Sequence, residues 1–210
     1  MCVSGIPINT ELLNFLRITT GRIKEWVRVN SKVLDVGCGD GRIISDLLSI
    51  TQNITAIDID TEAIARVQSK FQEYPSIKVL HTSAQNMPFD DEAFDFVVCM
   101  GTFMNFSELI KDDVLTEMKR VTTSEGKIVI SSFNENAMIE RIKMYSRVGA
   151  LDMIESIHGG TVTFDSSFGA NTSTQYSLDE YRGMFQKVGL CIEKMVKIEI
   201  GYIFLLKKVS

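Results

Sequence analysis

The chain of 210 residues is poor in several features that would settle a function class early. Its four cysteines, Cys2, Cys38, Cys99 and Cys191, are scattered without a C-x-x-C pair, so neither a zinc site nor a disulfide framework is spelled out. Three prolines leave no room for a proline-rich linker, and with two histidines, His81 and His158, no metal site is expected. No apolar run approaches the roughly 20 residues of a membrane-spanning helix, and the N-terminus has no basic segment followed by an apolar one. A basic surplus is also missing. Lys and Arg number 22 against 27 Asp and Glu, and the net charge of −5 argues against a nucleic-acid partner. Nothing in the pattern indicates a homodimer. A cytoplasmic, metal-free, single-domain protein is the expectation.

What is present begins with 45% apolar and 23% charged residues, enough for one well-buried core. The organising stretch is Val33-Leu34-Asp35-Val36-Gly37-Cys38-Gly39-Asp40-Gly41-Arg42. A short apolar run ending at an acid breaks into glycines at alternate positions. Ile43, Ile44, Leu47 and Leu48 then follow with helical spacing. Glycines at a strand-to-helix turn permit positive φ and close approach of a ligand to the backbone, and the helix N-terminus offers free N–H groups. The dinucleotide fingerprint is G-x-G-x-x-G, whereas Gly37, Gly39 and Gly41 form G-x-G-x-G and Arg42 fills the third fingerprint position.

These ten residues resemble motif I of the class I S-adenosylmethionine-dependent methyltransferases. The resemblance implies a loop that wraps the methionine end of the cofactor, so Asp35, Gly37, Cys38 and Gly39 are expected to bind it. Asp58 follows about 20 residues later at the end of the run Ile54–Ile59, where an acid can accept both ribose hydroxyls. In the family, Ile59 would lie against the adenine. The segment Thr82-Ser83-Ala84-Gln85-Asn86-Met87-Pro88-Phe89 resembles the family's adenine border, which implies Ser83, Ala84 and Gln85 as neighbours of the base. Many relatives carry Asp where Ser83 stands. Met100 and Gly101, at the end of the apolar run Phe94–Met100, complete the cofactor set. S-adenosyl-L-methionine is therefore the implied cofactor and S-adenosyl-L-homocysteine the product.

Strand-like and helix-like stretches alternate from Ser31 to Phe133. They predict an α/β, doubly wound parallel sheet with helices on both faces. The two strands after the last helix resemble the antiparallel C-terminal end of the family, which implies a seven-stranded, mostly parallel sheet. Gly21 predicts two short helices before the first strand, with Thr10 to Gly21 a candidate lid. Ser107 predicts the cap of a helix reaching about Thr122, before a strand Lys127–Phe133. A helix over Asn136–Gly149 carries Arg141, Lys143, Tyr145 and Arg147; the three basic residues read as a solvated face, with an anionic substrate as the alternative. Thr161–Phe164 and Ser173–Tyr176 predict a hairpin, and Ser177 with Glu180 predicts a capping box. The single domain 1–210 thus divides into an N-terminal helical cap (1–30), a cofactor-binding core (31–134), a substrate-cover insertion (135–176) and a C-terminal helix with two strands (177–210).

No residue stands out as a general base. Asn105, Tyr145, His158 and Tyr176 are the substrate-facing candidates, and Asp165 belongs to the same insertion. Transfer of a methyl group to N, O or C of a small-molecule acceptor is the expected reaction. A protein or RNA acceptor and a non-catalytic cofactor-binding module are the alternatives.

Overall fold

The computed structural model describes residues 2–3, 6–7, 10–147, 149–166 and 171–209. A two-residue hairpin, β1 (Cys2–Val3) with β2 (Ile6–Pro7), precedes helix α1 (Thr10–Trp26). The core then alternates β3 (Val33–Val36), α2 (Arg42–Leu47), β4 (Ile54–Asp58), α3 (Thr61–Lys70), β5 (Lys78–His81) and β6 (Phe94–Met100). After a 3-10 turn at Phe103–Asn105 come α4 (Lys111–Val121) and β7 (Thr122–Phe133). An insertion holds α5 (Met138–Arg147), β8 (Ile154–His158), β9 (Thr161–Phe164) and β10 (Thr172–Thr174). The chain closes with α6 (Leu178–Lys187), β11 (Leu190–Ile198) and β12 (Gly201–Lys208).

The main sheet has the order β11-β12-β7-β6-β3-β4-β5, seven strands with β12 antiparallel to both its neighbours. Alternate residues along the central strands feed two cores, as a period of two requires. Leu34, Val36, Val97 and Cys99 pack under α4 and α6, against Val114, Leu115, Met118, Tyr181 and Phe185. Val33, Phe96, Val98 and Met100 face α1, α2 and α3, against Ile23, Trp26, Ile44, Leu47 and Val67. Order reverses between β3 and β6, because the chain runs outward through β4 and β5 before returning on the other side. Ligands of such sheets bind in the crevice beyond the carboxyl ends of the strands at that reversal.

Local signals explain most boundaries. Asp60 caps α3 by accepting from the Glu62 and Ala63 amides at 2.8 and 3.2 Å. Ser177 and Glu180 form the expected reciprocal box at α6. Three expectations need correction, and the expected hairpin gains a strand. α1 is one helix running through Gly21, because Phe15 and Ile23, on either side of it, are both buried. Ser107 belongs to a turn whose carbonyl accepts from the Ile110 amide at 3.1 Å, and α4 starts only at Lys111. β7 starts directly after α4 at Thr122, five residues before Lys127, across a register shift in its pairing with β6. The hairpin β9–β10 has a third strand, β8, on its other edge.

Candidate functional site

The glycine loop lies at the reversal point. Gly37, Gly39 and Gly41 all have positive φ, at 74°, 48° and 72°. Their reasons differ. A Cβ on Gly37 would come within 2.2 Å of the Thr102 methyl, and one on Gly41 within 2.7 Å of the Phe71 ring, so these two are demanded by packing. A Cβ on Gly39 would meet nothing within 4 Å, and the same holds for Gly101, φ 77°, just past β6. Both glycines therefore bare backbone to open space at the tips of adjacent strands. Thr102 ties the two tips together, its hydroxyl donating to the Gly37 carbonyl at 3.0 Å. Thr102 carries no signal in the sequence that would mark it for this task.

Asp58 holds the loop from the neighbouring strand. One carboxylate oxygen accepts from the Gly39 amide at 2.8 Å and the other from the Asp60 amide at 2.9 Å. The Gly37 and Cys38 amides donate to the Ile57 carbonyl at 2.9 and 3.0 Å. Loop and acid are thus one unit. Ile59, the next residue, is 74% exposed, an apolar side chain left in the open at a strand tip. The His81 ring lies 2.9 Å from the Ile59 carbonyl and steadies that backbone.

Asp35 is sealed beneath the loop, and one of its oxygens lacks a hydrogen-bond partner. Burial raises its carboxyl to about 7, against the pull of Arg42 and with a push from Asp58. An orphaned buried carboxylate oxygen is costly, and a cation brought near would relieve it. Cys38 is buried, and burial with the nearby Asp35 and Asp58 pushes its thiol up, which keeps it an inert thiol.

Toward the adenine side, Ser83 and Ala84 are half-buried and Gln85 is exposed, in the turn after β5. The Ser83 hydroxyl accepts from the Gln85 amide at 3.2 Å. Arg120 holds the far end of this segment through the Met87 and Phe89 carbonyls at 3.0 and 2.7 Å. Met100 is buried at the end of β6. The eleven residues read from the sequence as cofactor-binding therefore sit on β3, β4 and β6 or in the segments that follow β3, β4, β5 and β6.

The substrate-facing candidates separate. Asn105 is exposed in the 3-10 turn beyond Gly101. His158 is exposed at the end of β8. Tyr145 is buried within the insertion, edge-on to Phe164, and its hydroxyl lies 3.5 Å from the Arg141 guanidinium. Tyr176 is buried and donates to Glu108, with the Lys111 ammonium 5.0 Å from its ring centroid. Burial and Glu108 push its hydroxyl pKa up, so it stays protonated. Asp165, next to the end of β9, has its amide bonded to the Met153 carbonyl at 2.9 Å.

Arg141 departs from its expected place. It is 1% exposed, not part of a solvated face. A signal for this exists in the sequence: the helical neighbours three and four residues away are Ala137, Met138, Met144 and Tyr145, none of them an acid. Among the described residues no group of three or more His, Cys, Asp or Glu could hold a metal ion, and no helix is long and apolar enough to cross a membrane.

A doubly wound sheet with an alternate-glycine loop at its reversal point and an acid at the next strand tip defines the fold of class I methyltransferases. Residues 34–130 match the family model described as a methyltransferase domain. The match runs from β3 into β7 and takes in the glycine loop, Asp58 and the segment after β5. It is 31% identical over 106 residues to a demethylmenaquinone methyltransferase of Lysinibacillus sphaericus, covering 49% of this chain and 44% of that one. The Staphylococcus aureus protein of the same description is 28% identical over 123 residues, with 57% and 50% covered. The chain thus spans about half the length of the curated relatives it matches.

Among solved structures, the PH0226 protein of Pyrococcus horikoshii shares the fold with a TM-score of 0.73 at 18% identity, covering 97% of this chain and 94% of that one. The Burkholderia thailandensis 1,6-didemethyltoxoflavin-N1-methyltransferase, solved with 1,6-didemethyltoxoflavin and S-adenosylhomocysteine, has a TM-score of 0.73 at 12% identity. It covers 93% of this chain and 79% of that one.

Proposed function

We propose that this chain transfers the methyl group of S-adenosyl-L-methionine to N, O or C of a small-molecule acceptor. The observation that carries the reading is the Gly39–Asp58 unit, an open glycine backbone hydrogen-bonded to the acid of the next strand tip. The loop and the orphaned oxygen of Asp35 suit the methionine end, with its ammonium. Asp58 suits the ribose and exposed Ile59 one face of the adenine. Ser83, Ala84 and Gln85 would border the base, and Met100 and Gly101 would face the bound cofactor beside Asn105.

The cofactor, when bound, supplies an activated methyl on a positively charged sulfur. The chain's own task is to align an acceptor behind that methyl and to exclude water. Such alignment contributes on the order of 7 kcal/mol or more in favourable cases. The insertion 135–176 is the cover over the acceptor in this reading. A small acceptor is supported by the similarity to a demethylmenaquinone methyltransferase and to a 1,6-didemethyltoxoflavin-N1-methyltransferase. The acidic charge balance favours it over RNA.

Incubation with methyl-labelled cofactor and a fractionated metabolite extract tests this. A labelled product of low molecular weight is expected. Label appearing only in protein or RNA would transfer the reading to a macromolecular acceptor, and no label beside normal cofactor binding would make the chain a binder.

A further inference from the structure

Among the described residues, the buried guanidinium of Arg141 has no counter-ion. Its Nη1 donates to the Gly160 carbonyl at 2.9 Å and to the Gln175 amide oxygen at 3.0 Å. Its Nη2 donates to the Ser173 carbonyl and approaches the Tyr145 hydroxyl at 3.5 Å, while Nε has no partner. Every acceptor is neutral. Lys111, the other buried cation among the described residues, is instead neutralised by Glu108 at 2.9 Å. A buried charge balanced only by neutral dipoles is costly, and the guanidinium fork matches a carboxylate or an ionised hydroxyl.

The position of this charge is specific. The Arg141 guanidinium carbon lies 5.0 Å from the centroid of Phe133, the last residue of β7. Phe133 is two residues beyond Ser131, the partner of Met100, and so is level with Thr102 at the sheet edge. Phe133 packs with Phe15, Met104, Ala137 and Ile200 in one apolar cluster, with Met144 against it. β10, whose Ser173 accepts from Arg141, packs on the turn that carries Asn105. The Arg141 guanidinium therefore lies against an apolar cluster whose Phe133 is two residues beyond the level of Met100 at the end of β6.

We propose that Arg141 and the wall at Phe133 and Met104 form the acceptor subsite, and that the acceptor is an aromatic organic anion carrying a carboxylate or an ionised hydroxyl. The inference rests on the methyl-transfer reading and adds the chemical class of its acceptor. Gln175 is the exchangeable partner. Its side chain is only half-buried, its amide nitrogen donates to the Glu135 carbonyl at 2.6 Å, and its oxygen is what an incoming oxyanion replaces on Nη1. An ionised hydroxyl supplies the electron pair for the new bond to the methyl carbon. The pair of the broken carbon–sulfur bond stays on sulfur, whose positive charge disappears, and no proton leaves at that step. This accounts for an acceptor region without a free general base.

The test uses the whole chain saturated with S-adenosylhomocysteine, with benzoate and its neutral counterpart benzamide as probes, titrated by ligand-observed NMR. Benzoate is expected to bind at least tenfold more tightly than benzamide. The preference should vanish in Arg141→Met and in Gln175→Glu, which supplies an internal carboxylate to the guanidinium, and persist in part in Arg141→Lys. Affinity for S-adenosylhomocysteine should stay within twofold in all three. Equal binding of the two probes, or no binding of benzoate, overturns the inference, as does an anion preference that survives Arg141→Met. If Arg141→Met does not fold, Gln175→Glu decides alone, and a preference retained there overturns the inference. A wild-type chain that fails to bind S-adenosylhomocysteine strikes the methyl-transfer reading itself, and the inference falls with it.

Discussion

A carboxyl group buried under the glycine loop with one oxygen unpartnered is costly to ionise, and Asp35 shows the consequence. Burial raises it from the ordinary value of 3.8 to about 7. The folded state thus holds this proton more tightly than the unfolded chain. The associated stability is complete below pH 3.8 and is lost as pH rises through 7. Asp35→Asn keeps the shape without the charge. It should raise the melting temperature at pH 8, by an amount corresponding to at most about 4 kcal/mol, and leave it unchanged near pH 4. Equal effects at both pH values would contradict the buried-acid account. Because an ammonium favours the ionised form, affinity for S-adenosylhomocysteine should increase between pH 6 and 8 in the wild type and lose that slope in Asp35→Asn. Asp58 makes the sharper residue-level case, since its two oxygens anchor Gly39 and Asp60. Asp58→Ala should weaken S-adenosylhomocysteine binding at least tenfold, in line with the roughly 1.5–3 kcal/mol of a charge-assisted hydrogen bond. Unchanged affinity in a calorimetric titration would remove Asp58 from the site.

At the level of elements, α1 shows where local propensity loses to packing. Gly21 costs a helix interior about 0.5–1 kcal/mol relative to Ala, and the periodicity around it predicts a break. Ile23, Trp26 and Val27 bury against the sheet on one side of Gly21 and Phe15 on the other, which offsets that cost. An added Cβ at Gly21 meets nothing within 4 Å. Gly21→Ala should therefore raise the melting temperature by about 2–4 °C in a thermal melt, and a decrease would show that the glycine has a packing role. The capping box of α6 is the complementary case, since pattern and structure agree at Ser177 and Glu180. Ser177→Ala should cost about 1 kcal/mol in a denaturant titration. β8 escapes the sequence because its pairing with β9 shifts register between Ile154 and Ser156, which breaks the alternation that would mark a strand.

For the molecule as a whole, the doubly wound sheet is legible because short apolar stretches alternate with stretches of helical periodicity. The loop is legible because glycine is the residue that adopts positive φ without strain, here three times at alternate positions. Burial of charge is not legible in the same way. Arg141 shares a helix with Lys143 and Arg147, and a basic helix suggests a solvated face, yet the hairpin β9–β10 folds over Arg141. The local window shows only that Arg141 has no acidic helical neighbour; its acceptors at Gly160, Ser173 and Gln175 lie 19, 32 and 34 residues away. The Thr102 bond to Gly37, 65 residues away, is of the same kind.

The reversal point between β3 and β6 therefore carries the central claim, that the crevice receives the methyl donor and not a dinucleotide. Calorimetric titration of the chain with S-adenosylmethionine, S-adenosylhomocysteine and NAD tests it most directly. Saturable binding of the first two, with no response to NAD, is the predicted result. Tight binding of NAD with no heat from either sulfur cofactor would contradict the account.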